Sequence, residues 1–197
     1  IALCILSAVN VGKIRSDEEL EELCDLSVRG LEELIDYQEY PVKAAELATK
    51  ARRSLGVGFI GLAHYLAKLG YKYGSQEAWD AVHGLSESFQ YYLIKSSNEI
   101  AKEKGWCENF GRTKYSDGIL PIDTYKKDVD EICSQPLQHD WESLRASILE
   151  HGLRHSTLSA QMPSESSSVV SNATNGIEPP RGYLSIKKSK KGPLKQV

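Results

Sequence analysis

The stretch TLSAQMPSESSSVVSNATNGIEPP, residues 157–180, constrains the fold of this chain more than any other part of it. Residues 157–162 alternate β-branched or apolar residues with small polar ones, which predicts a short strand. Pro163 ends that strand, because proline cannot donate to a sheet ladder. A serine-rich run and a polar helix are then predicted up to Asn175-Gly176, since both residues tolerate the positive φ of a helix stop. The final EPP prevents the helix from resuming.

A strand followed by a serine-rich turn and the start of a helix predicts an anion-binding site. The first backbone N–H groups of a helix have no partner within the helix, and the helix dipole adds positive potential there. Serine hydroxyls can donate further hydrogen bonds to an anion. The alternative is that Ser164 or Ser166 only caps the helix, which is a common role for serine. The residues by themselves leave both interpretations open.

The same stretch resembles a known family. The runs MPSESSS and SNATNGIEPPRGYLSIK are similar to the large, catalytic subunit of class I ribonucleotide reductase, and similar patterns extend from Ala2 to the C-terminus. In that family, the proline and the four residues after it form the loop that holds the diphosphate of the substrate. The resemblance therefore implies a substrate loop made of Pro163, Ser164, Glu165, Ser166 and Ser167.

The apolar run at residues 1–9 predicts a buried strand that contains Cys4. Taken alone, such a cysteine is most simply a small buried apolar side chain. The pattern A-L-C-x-L-x-A-x-N, which runs from Ala2 to Asn10, resembles the reductase strand that carries one cysteine of the redox pair. The resemblance implies that Cys4 helps to reduce the ribose and enters a disulfide in each turnover. It also implies that the partner cysteine, and the radical-bearing cysteine with its asparagine and glutamate, lie upstream of Ile1.

Composition and charge exclude some classes of function. The formal net charge is −3, which argues against a general nucleic-acid binder. No apolar run reaches the ~20 residues of a membrane span, and no signal peptide is recognisable. The four cysteines form no C-x-x-C pair and fit no zinc spacing, so no metal site is expected. Because the cysteine density is low, we expect a reducing, cytoplasmic environment. The chain opens at Ile1, and we interpret residues 1–197 as one partial catalytic barrel domain, truncated at both ends.

Helical spacing dominates the rest of the chain. Ser16 to Glu19 form a capping box before a helix to about Tyr37, whose apolar face includes Cys24. Further helices are predicted at residues 41–53, 59–69, 76–104 and 140–150, and a hairpin is predicted between residues 183–187 and 194–197. Two adjacent tyrosines at 91 and 92 fall in the middle of the longest helix, which favours packing over the radical transfer that adjacent tyrosines carry out in the reductase family.

The motif G-x-G-x-x-G occurs at residues 56–61. A dinucleotide-binding fingerprint needs a strand before the glycines and an acidic residue about 20 positions later, after a second strand. Here basic, helix-forming residues at 50–53 come before the motif, and no clear strand follows it up to Asp80. We therefore interpret these glycines as close helix-packing positions. The reductase family has a similar segment, and it has no role there in binding NAD.

The resemblance also implies a fold and a reaction. The fold is α/β, a helix-rich piece of the ten-stranded α/β barrel of reductase large subunits. The reaction reduces ribonucleoside diphosphates to deoxyribonucleoside diphosphates through a transient thiyl radical. The implied partners are a small subunit whose metallocofactor generates the radical, thioredoxin or glutaredoxin as reductant, and a second large subunit. ATP and deoxynucleoside triphosphate effectors bind outside this region in the family, and no cofactor is expected within the chain.

A different class also fits the residues, namely a non-catalytic helical binding module with a serine-rich phosphate site. An N-x-C-x-E loop upstream of Ile1 would discriminate in favour of the enzyme. Since the implied chemistry needs the upstream cysteines, we expect residues 1–197 alone to be inactive.

Overall fold

Helices dominate the computed structural model, which describes residues 3–133, 135–180, 182–189 and 192–196. The helix-rich α/β class predicted from the sequence is confirmed. The α-helices in the described part are α1 (Asp17–Tyr37), α2 (Lys43–Arg52), α3 (Leu62–Leu69), α4 (Gln76–Lys104), α5 (Pro121–Thr124), α6 (Trp141–His151) and α7 (Ser166–Val170). The strands are β1 (Ile5–Asn10), β2 (Leu55–Ile60), β3 (Ser185–Ser189) and β4 (Gly192–Gln196). Within these residues no helix is long and apolar enough to cross a membrane.

The two longest helices, α1 and α4, pack against each other and form the main helical layer. Ser16 caps α1 by accepting a hydrogen bond from the Glu19 backbone N–H at 3.3 Å, and the Glu19 carboxylate accepts one from the Arg15 backbone N–H at 2.8 Å. The predicted cap and helix are therefore confirmed. The apolar residues that α1 buries recur every three or four positions, which places them on one face. They are Leu20, Cys24, Val28, Leu31 and Ile35.

The central sheet pairs β1 with β2 in parallel, with Leu6 opposite Gly56 and Ala8 opposite Gly58. Every residue of β2 is buried, because helices cover one face and other chain segments cover the opposite face. The prediction of a helix from residue 59 is wrong over its first three residues. Residues 59 and 60 complete β2, and α3 starts only after Gly61, which has a φ of 78°. A short apolar run fits a buried strand as well as a helix, and here pairing with β1 decides the outcome.

The first predicted strand is displaced and less buried than expected. It runs from Ile5 to Asn10, and of its six residues only Val9 is fully buried. The expected residues 1 and 2 lie outside the described part of the chain. Cys4 comes just before the strand and is exposed, so the interpretation of Cys4 as a small buried apolar residue is wrong.

Residues 157–162, predicted as a strand, lie parallel to β2 but form only one bridge, between Ser159 and Val57. The Leu55 backbone N–H donates to the Thr157 carbonyl at 3.0 Å, and the Ala160 N–H donates to the Val57 carbonyl at 3.1 Å. The segment is therefore held along β2 by its backbone without becoming a regular strand.

The remaining predicted elements agree with the structure in type. Asp140 caps α6 by accepting from the Ser143 backbone N–H at 3.0 Å. The hairpin of β3 and β4 is antiparallel, with Ser189 opposite Gly192, although the expected turn residues 190 and 191 and the last residue lie outside the described part. The tyrosine pair is packed as predicted, because the Tyr91 ring stacks on His139 at 4.4 Å and Tyr92 is buried.

Candidate functional site

One face of the central sheet brings the predicted site residues together. Side chains alternate along a strand, so Leu6, Ala8 and Asn10 share a face with the two glycines of β2. Cys4, two residues before Leu6, is on this face too, because its Sγ lies 3.0 Å from the point where a Cβ on Gly56 would be. The other three cysteines in the described chain, at positions 24, 107 and 133, are buried and away from solvent. Cys4 is therefore the accessible thiol among the cysteines of this chain, all of which are described.

The Cys4 thiol is not activated as a thiolate in this conformation. Partial burial raises its pKa above the ordinary value of a cysteine, so it is protonated at neutral pH. Its nearest hydrogen-bond acceptor is the carbonyl of Ile5 at 4.0 Å, which is a weak contact. The thiolate is the form that binds metals and attacks as a nucleophile, and burial disfavours that form here. Among the described residues, no group of three or more His, Cys, Asp or Glu side chains could hold a metal.

The segment along β2 carries the chain from the thiol to the serine loop. Ala160 lies over β2 beside Cys4, since its Cβ is 3.2 Å from the position of a Cβ on Gly56. Pro163 follows three residues later, within a chain reach of about 10 Å from Ala160. The structure thus places Cys4 and the start of the predicted substrate loop on one side of the sheet.

The serine loop is tied to the end of β2 through residues 174 and 175. The Gly61 backbone N–H donates to the Thr174 carbonyl at 3.1 Å. The Asn175 Oδ1 accepts the Glu165 backbone N–H at 2.5 Å and also receives the Ser168 hydroxyl at 3.1 Å. Sequence reasoning treated Asn175 only as a helix stop. No local pattern indicates that its side chain reaches back ten residues to organise the loop.

Glu165 has an unusual backbone conformation, with φ 44° and ψ −100°, which is strained for a residue that is not glycine. It is the residue that precedes α7, and its side chain makes no capping hydrogen bond. The interpretation that Ser164 or Ser166 caps this helix is therefore wrong. The helix itself has only five residues and ends at Val170, well before Asn175. A dipole from so short a helix is small, so the expected contribution of the helix field to anion binding does not hold.

The loop has fewer unoccupied donors than the sequence suggested. The Ser167 backbone N–H donates to the Ser164 carbonyl at 3.1 Å, and that of Glu165 is bound to Asn175. Among the described residues, the N–H groups of Ser166 and Ser168 have no acceptor. The Ser164 hydroxyl is buried and has no hydrogen-bond partner in this part of the chain either. Of these groups, the Ser166 N–H belongs to an exposed residue, whereas Ser168 is 1% exposed. The Ser166 and Ser167 side chains are also exposed, so their hydroxyls are further donors that an anion could use.

A buried charge cluster anchors the base of the segment that leads to the loop. Glu32 of α1 accepts hydrogen bonds from Arg53 Nε and Arg154 Nε, both at 2.7 Å, and from His155 Nε2 at 2.9 Å. Burial alone would raise the pKa of Glu32, but the bonds from His155, Arg53 and Arg154 outweigh it and lower that pKa to about 2. The cluster holds α1, the end of α2 and residues 154–155 together. Sequence reasoning missed it, because Glu32 is one of many acidic residues on α1 and nothing local separates it from the others.

Ser97, His155 and Glu32 have the order of contacts seen in a hydrolytic triad. The Ser97 hydroxyl lies 2.9 Å from His155 Nδ1 and accepts the His155 backbone N–H at 3.1 Å. The hydroxyl proton is therefore directed to Nδ1, and the proton of the neutral ring is on Nε2, facing Glu32. All three side chains are almost completely buried, at 0%, 0% and 1% exposure. A substrate cannot reach this serine, so the arrangement is structural.

Comparison with known proteins identifies the family. The family model described as "Ribonucleotide reductase, barrel domain" matches residues 1–197. Relatives named ribonucleoside-diphosphate reductase subunit alpha are 61% identical in Haemophilus influenzae and 57% identical in Buchnera aphidicola from Acyrthosiphon pisum, each over 100% of this chain. A relative of the same name in Enterobacteria phage T4 is 48% identical over 199 aligned residues. The chain spans 26% of the length of each of these relatives. With this match over its whole length, the chain belongs to the ribonucleotide reductase family, and its residues match that family's barrel domain.

Proposed function

We propose that this chain is the part of a ribonucleoside-diphosphate reductase large subunit that carries one redox cysteine and the loop for the substrate diphosphate. The observation that carries the proposal is the position of Cys4. It is the exposed cysteine of the chain, and it lies on the same side of the sheet as the segment that leads into the serine loop. In a member of the reductase barrel family, this arrangement is suited to holding a ribonucleotide beside a reducing thiol.

The proposed role of Cys4 is to supply electrons. A ribonucleoside diphosphate and two thiols give a deoxyribonucleoside diphosphate, one disulfide and water. The thiols lose two electrons and two protons, the S–S bond forms, the 2′-hydroxyl leaves as water, and a hydrogen replaces it on the ribose. The second thiol and the cysteine that bears the transient radical are contributed by other parts of the subunit in this proposal. An external dithiol then reduces the disulfide by thiol–disulfide exchange.

The proposed substrate loop is Pro163, Ser164, Glu165, Ser166 and Ser167, extended by Ser168. The free backbone N–H groups of Ser166 and Ser168 support this role, as does the unpartnered hydroxyl of Ser164. A diphosphate is rich in acceptor oxygens, and backbone donors bind it without the entropy cost of ordering a long side chain. The Glu165 carboxylate would repel the phosphates at short range, so we expect it to be directed away from them.

Further components are proposed from family membership. They are a small subunit whose metallocofactor generates the radical, thioredoxin or glutaredoxin as the reductant, and a second large subunit in a homodimer. ATP and deoxynucleoside triphosphate effectors bind at sites in other regions. Because the reaction consumes free thiols, we propose that it takes place in a reducing compartment such as the cytoplasm.

Substrate affinity in the full-length enzyme tests the loop. We expect Ser166→Ala and Ser167→Ala to weaken binding of a ribonucleoside diphosphate mildly, because the backbone donors remain. A charge-assisted hydrogen bond contributes about 1.5–3 kcal/mol, so the loss should be at most roughly ten- to a hundredfold. Ser167→Pro should weaken binding much more, because it removes the hydrogen bond from the Ser167 N–H to the Ser164 carbonyl and distorts the turn.

The controls separate loop binding from general damage. Ser171→Ala makes the same chemical change just after α7, where the hydroxyl donates to the Ser167 carbonyl at 2.5 Å, and it should leave affinity near that of the parent. The corresponding nucleoside without phosphates should bind all variants equally weakly. Equal, small effects from the alanine and proline variants would mean that the diphosphate binds elsewhere.

A further inference from the structure

The G-x-G-x-x-G motif at residues 56–61 supplies none of the donors named for the proposed phosphate site, although the Gly61 N–H helps to hold the loop in place. Gly56 and Gly58 lie within β2, and Gly61 forms the turn after it, so the interpretation of these glycines as helix-packing positions is wrong. Each is a place where another chain segment comes close. A Cβ on Gly58 would lie 2.3 Å from the Ala160 carbonyl oxygen, and one on Gly61 would lie 2.6 Å from Asn10 Oδ1.

Gly56 is the glycine next to the proposed redox thiol. Its φ lies outside the left-handed region, so its backbone conformation is open to any residue and space is the constraint. A Cβ at this position would lie 3.0 Å from Cys4 Sγ, 2.6 Å from Leu6 Cδ2 and 3.2 Å from Ala160 Cβ. Ordinary contacts between such atoms are about 3.5–4.0 Å, so Cys4 Sγ and Ala160 Cβ would have to move by several tenths of an ångström and Leu6 Cδ2 by about 1 Å.

The neighbours differ in how they can move. The Leu6 side chain is 55% exposed, and its terminal methyl group can swing into solvent. The backbone around Cys4 is held on both sides, because the Leu3 N–H donates to Thr49 Oγ1 at 3.1 Å and the Ile5 N–H donates to the Ser54 carbonyl at 3.3 Å. Cys4 can therefore make room for a methyl group at Gly56 only by rotating its thiol away from the sheet.

We propose that Gly56 is a positioning residue for the Cys4 thiol. The inference rests on the redox role proposed above for Cys4. A disulfide closes only when the two Cβ atoms are about 3.5–4.5 Å apart with a suitable dihedral angle, so the rotamer of each cysteine matters. A flat, side-chain-free surface under Cys4 lets the thiol lie against the sheet, where it meets its partner. The two-electron oxidation of the dithiol to the disulfide, with release of water from the ribose, depends on that position.

The test is Gly56→Ala in the full-length large subunit, assayed with the small subunit and a dithiol reductant. We expect kcat to fall by about tenfold or more, since misplacement of a reacting group by 1 Å can cost about a hundredfold. The KM for the ribonucleoside diphosphate should stay within about twofold, because a misplaced thiol changes a step after binding. Alkylation of Cys4 by iodoacetamide, followed by mass spectrometry of its peptide, should become faster as the thiol turns toward solvent.

Gly30→Ala is the matched control, because a Cβ on this α1 glycine meets nothing within 4 Å. It should leave kcat, KM and Cys4 alkylation at the values of the parent enzyme. The double variant Gly56→Ala/Leu6→Ala removes the closest clash of the new methyl group and leaves the one with Cys4. A kcat that stays low in the double variant supports the inference. Recovery of the parental kcat would assign the defect to Leu6 packing and overturn it.

Failure of this inference is distinguishable from failure of the proposed function. Parental kcat and parental alkylation in Gly56→Ala, with Cys4→Ser unable to sustain multiple turnovers, would overturn the positioning role alone. Sustained multiple turnover by Cys4→Ser would overturn the redox role of Cys4 and the positioning role with it.

Discussion

Replacing Glu32 by glutamine should loosen the segment that carries the substrate loop, although Glu32 lies outside the proposed site. Its carboxylate accepts three hydrogen bonds from charged or ring donors, from Arg53, Arg154 and His155, and it is 1% exposed. A glutamine at this position has no charge to balance the two arginines. Its NH₂ group also presents a donor to residues that are themselves donors.

The loss of stability in Glu32→Gln depends on which hydrogen bonds the former partners of Glu32 retain. Removing one member of a buried ion pair costs about 3–5 kcal/mol, because the other charge is left buried without a partner. Here Arg53 retains Asp36 at 2.7 Å, and Arg154 still donates to the carbonyls of Lys104 and Gly105 at 3.2 and 3.1 Å. We therefore expect Glu32→Gln to cost about 3 kcal/mol of local stability, the lower end of that range. This corresponds to roughly a hundredfold increase in the equilibrium constant for local opening of the segment.

Hydrogen exchange in the full-length subunit measures this local stability. The peptide that spans residues 153–160 contains the Ser156 and Ala160 amides, which donate to the Arg52 and Val57 carbonyls. Their exchange should accelerate about a hundredfold in Glu32→Gln. Glu33→Gln is the control, since Glu33 pairs with Lys104 on the surface, and there the rates should stay within about fivefold of the parent. Equal rates in the two variants would refute the idea that the buried cluster anchors this segment.

Three further predictions concern thiols, pH and packing. In the full-length enzyme, Cys4→Ser should abolish multiple turnovers while leaving substrate affinity nearly intact, whereas Cys24→Ser should lower only thermal stability, because Cys24 is 0% exposed. Acid should weaken protection at residues 153–160, as measured by exchange corrected for intrinsic rates. Burial lowers the pKa of His155 below 6.5, so its contribution to folded-state stability is present above pH 6.5 and is lost as the pH falls. Hydrogen bonds lower the pKa of Glu32 to about 2, so its contribution to folded-state stability is full above pH 4.5 and is lost toward pH 2. Gly58→Ala should cost more thermal stability than Gly56→Ala, because its methyl group would meet the Ala160 carbonyl oxygen at 2.3 Å, whereas the three nearest atoms at Gly56 all belong to side chains.

The sequence by itself determined the elements that local rules govern. The cap at Ser16, the long apolar stripe of α1 and the 29-residue helix α4 follow from side-chain chemistry and helical spacing within a few turns. The serine-rich motif around Pro163 was sufficient to identify the family, because it is long and has little reason to recur by chance. The cap and the helical spacing depend on residues that are close together in the sequence, so the local pattern contains the information.

Tertiary structure decided what depends on residues far apart in the chain. The run at 55–60 became a strand because β1 pairs with it, and its glycines lie where Cys4, Ala160 and Met162 come close to the sheet. Cys4 is exposed, although its neighbours in the sequence are apolar and predict a buried strand. Glu32 meets His155 across 123 positions of sequence. Such contacts arise only when the sheet and helices have packed, since packing and charge pairing are set by distance in space.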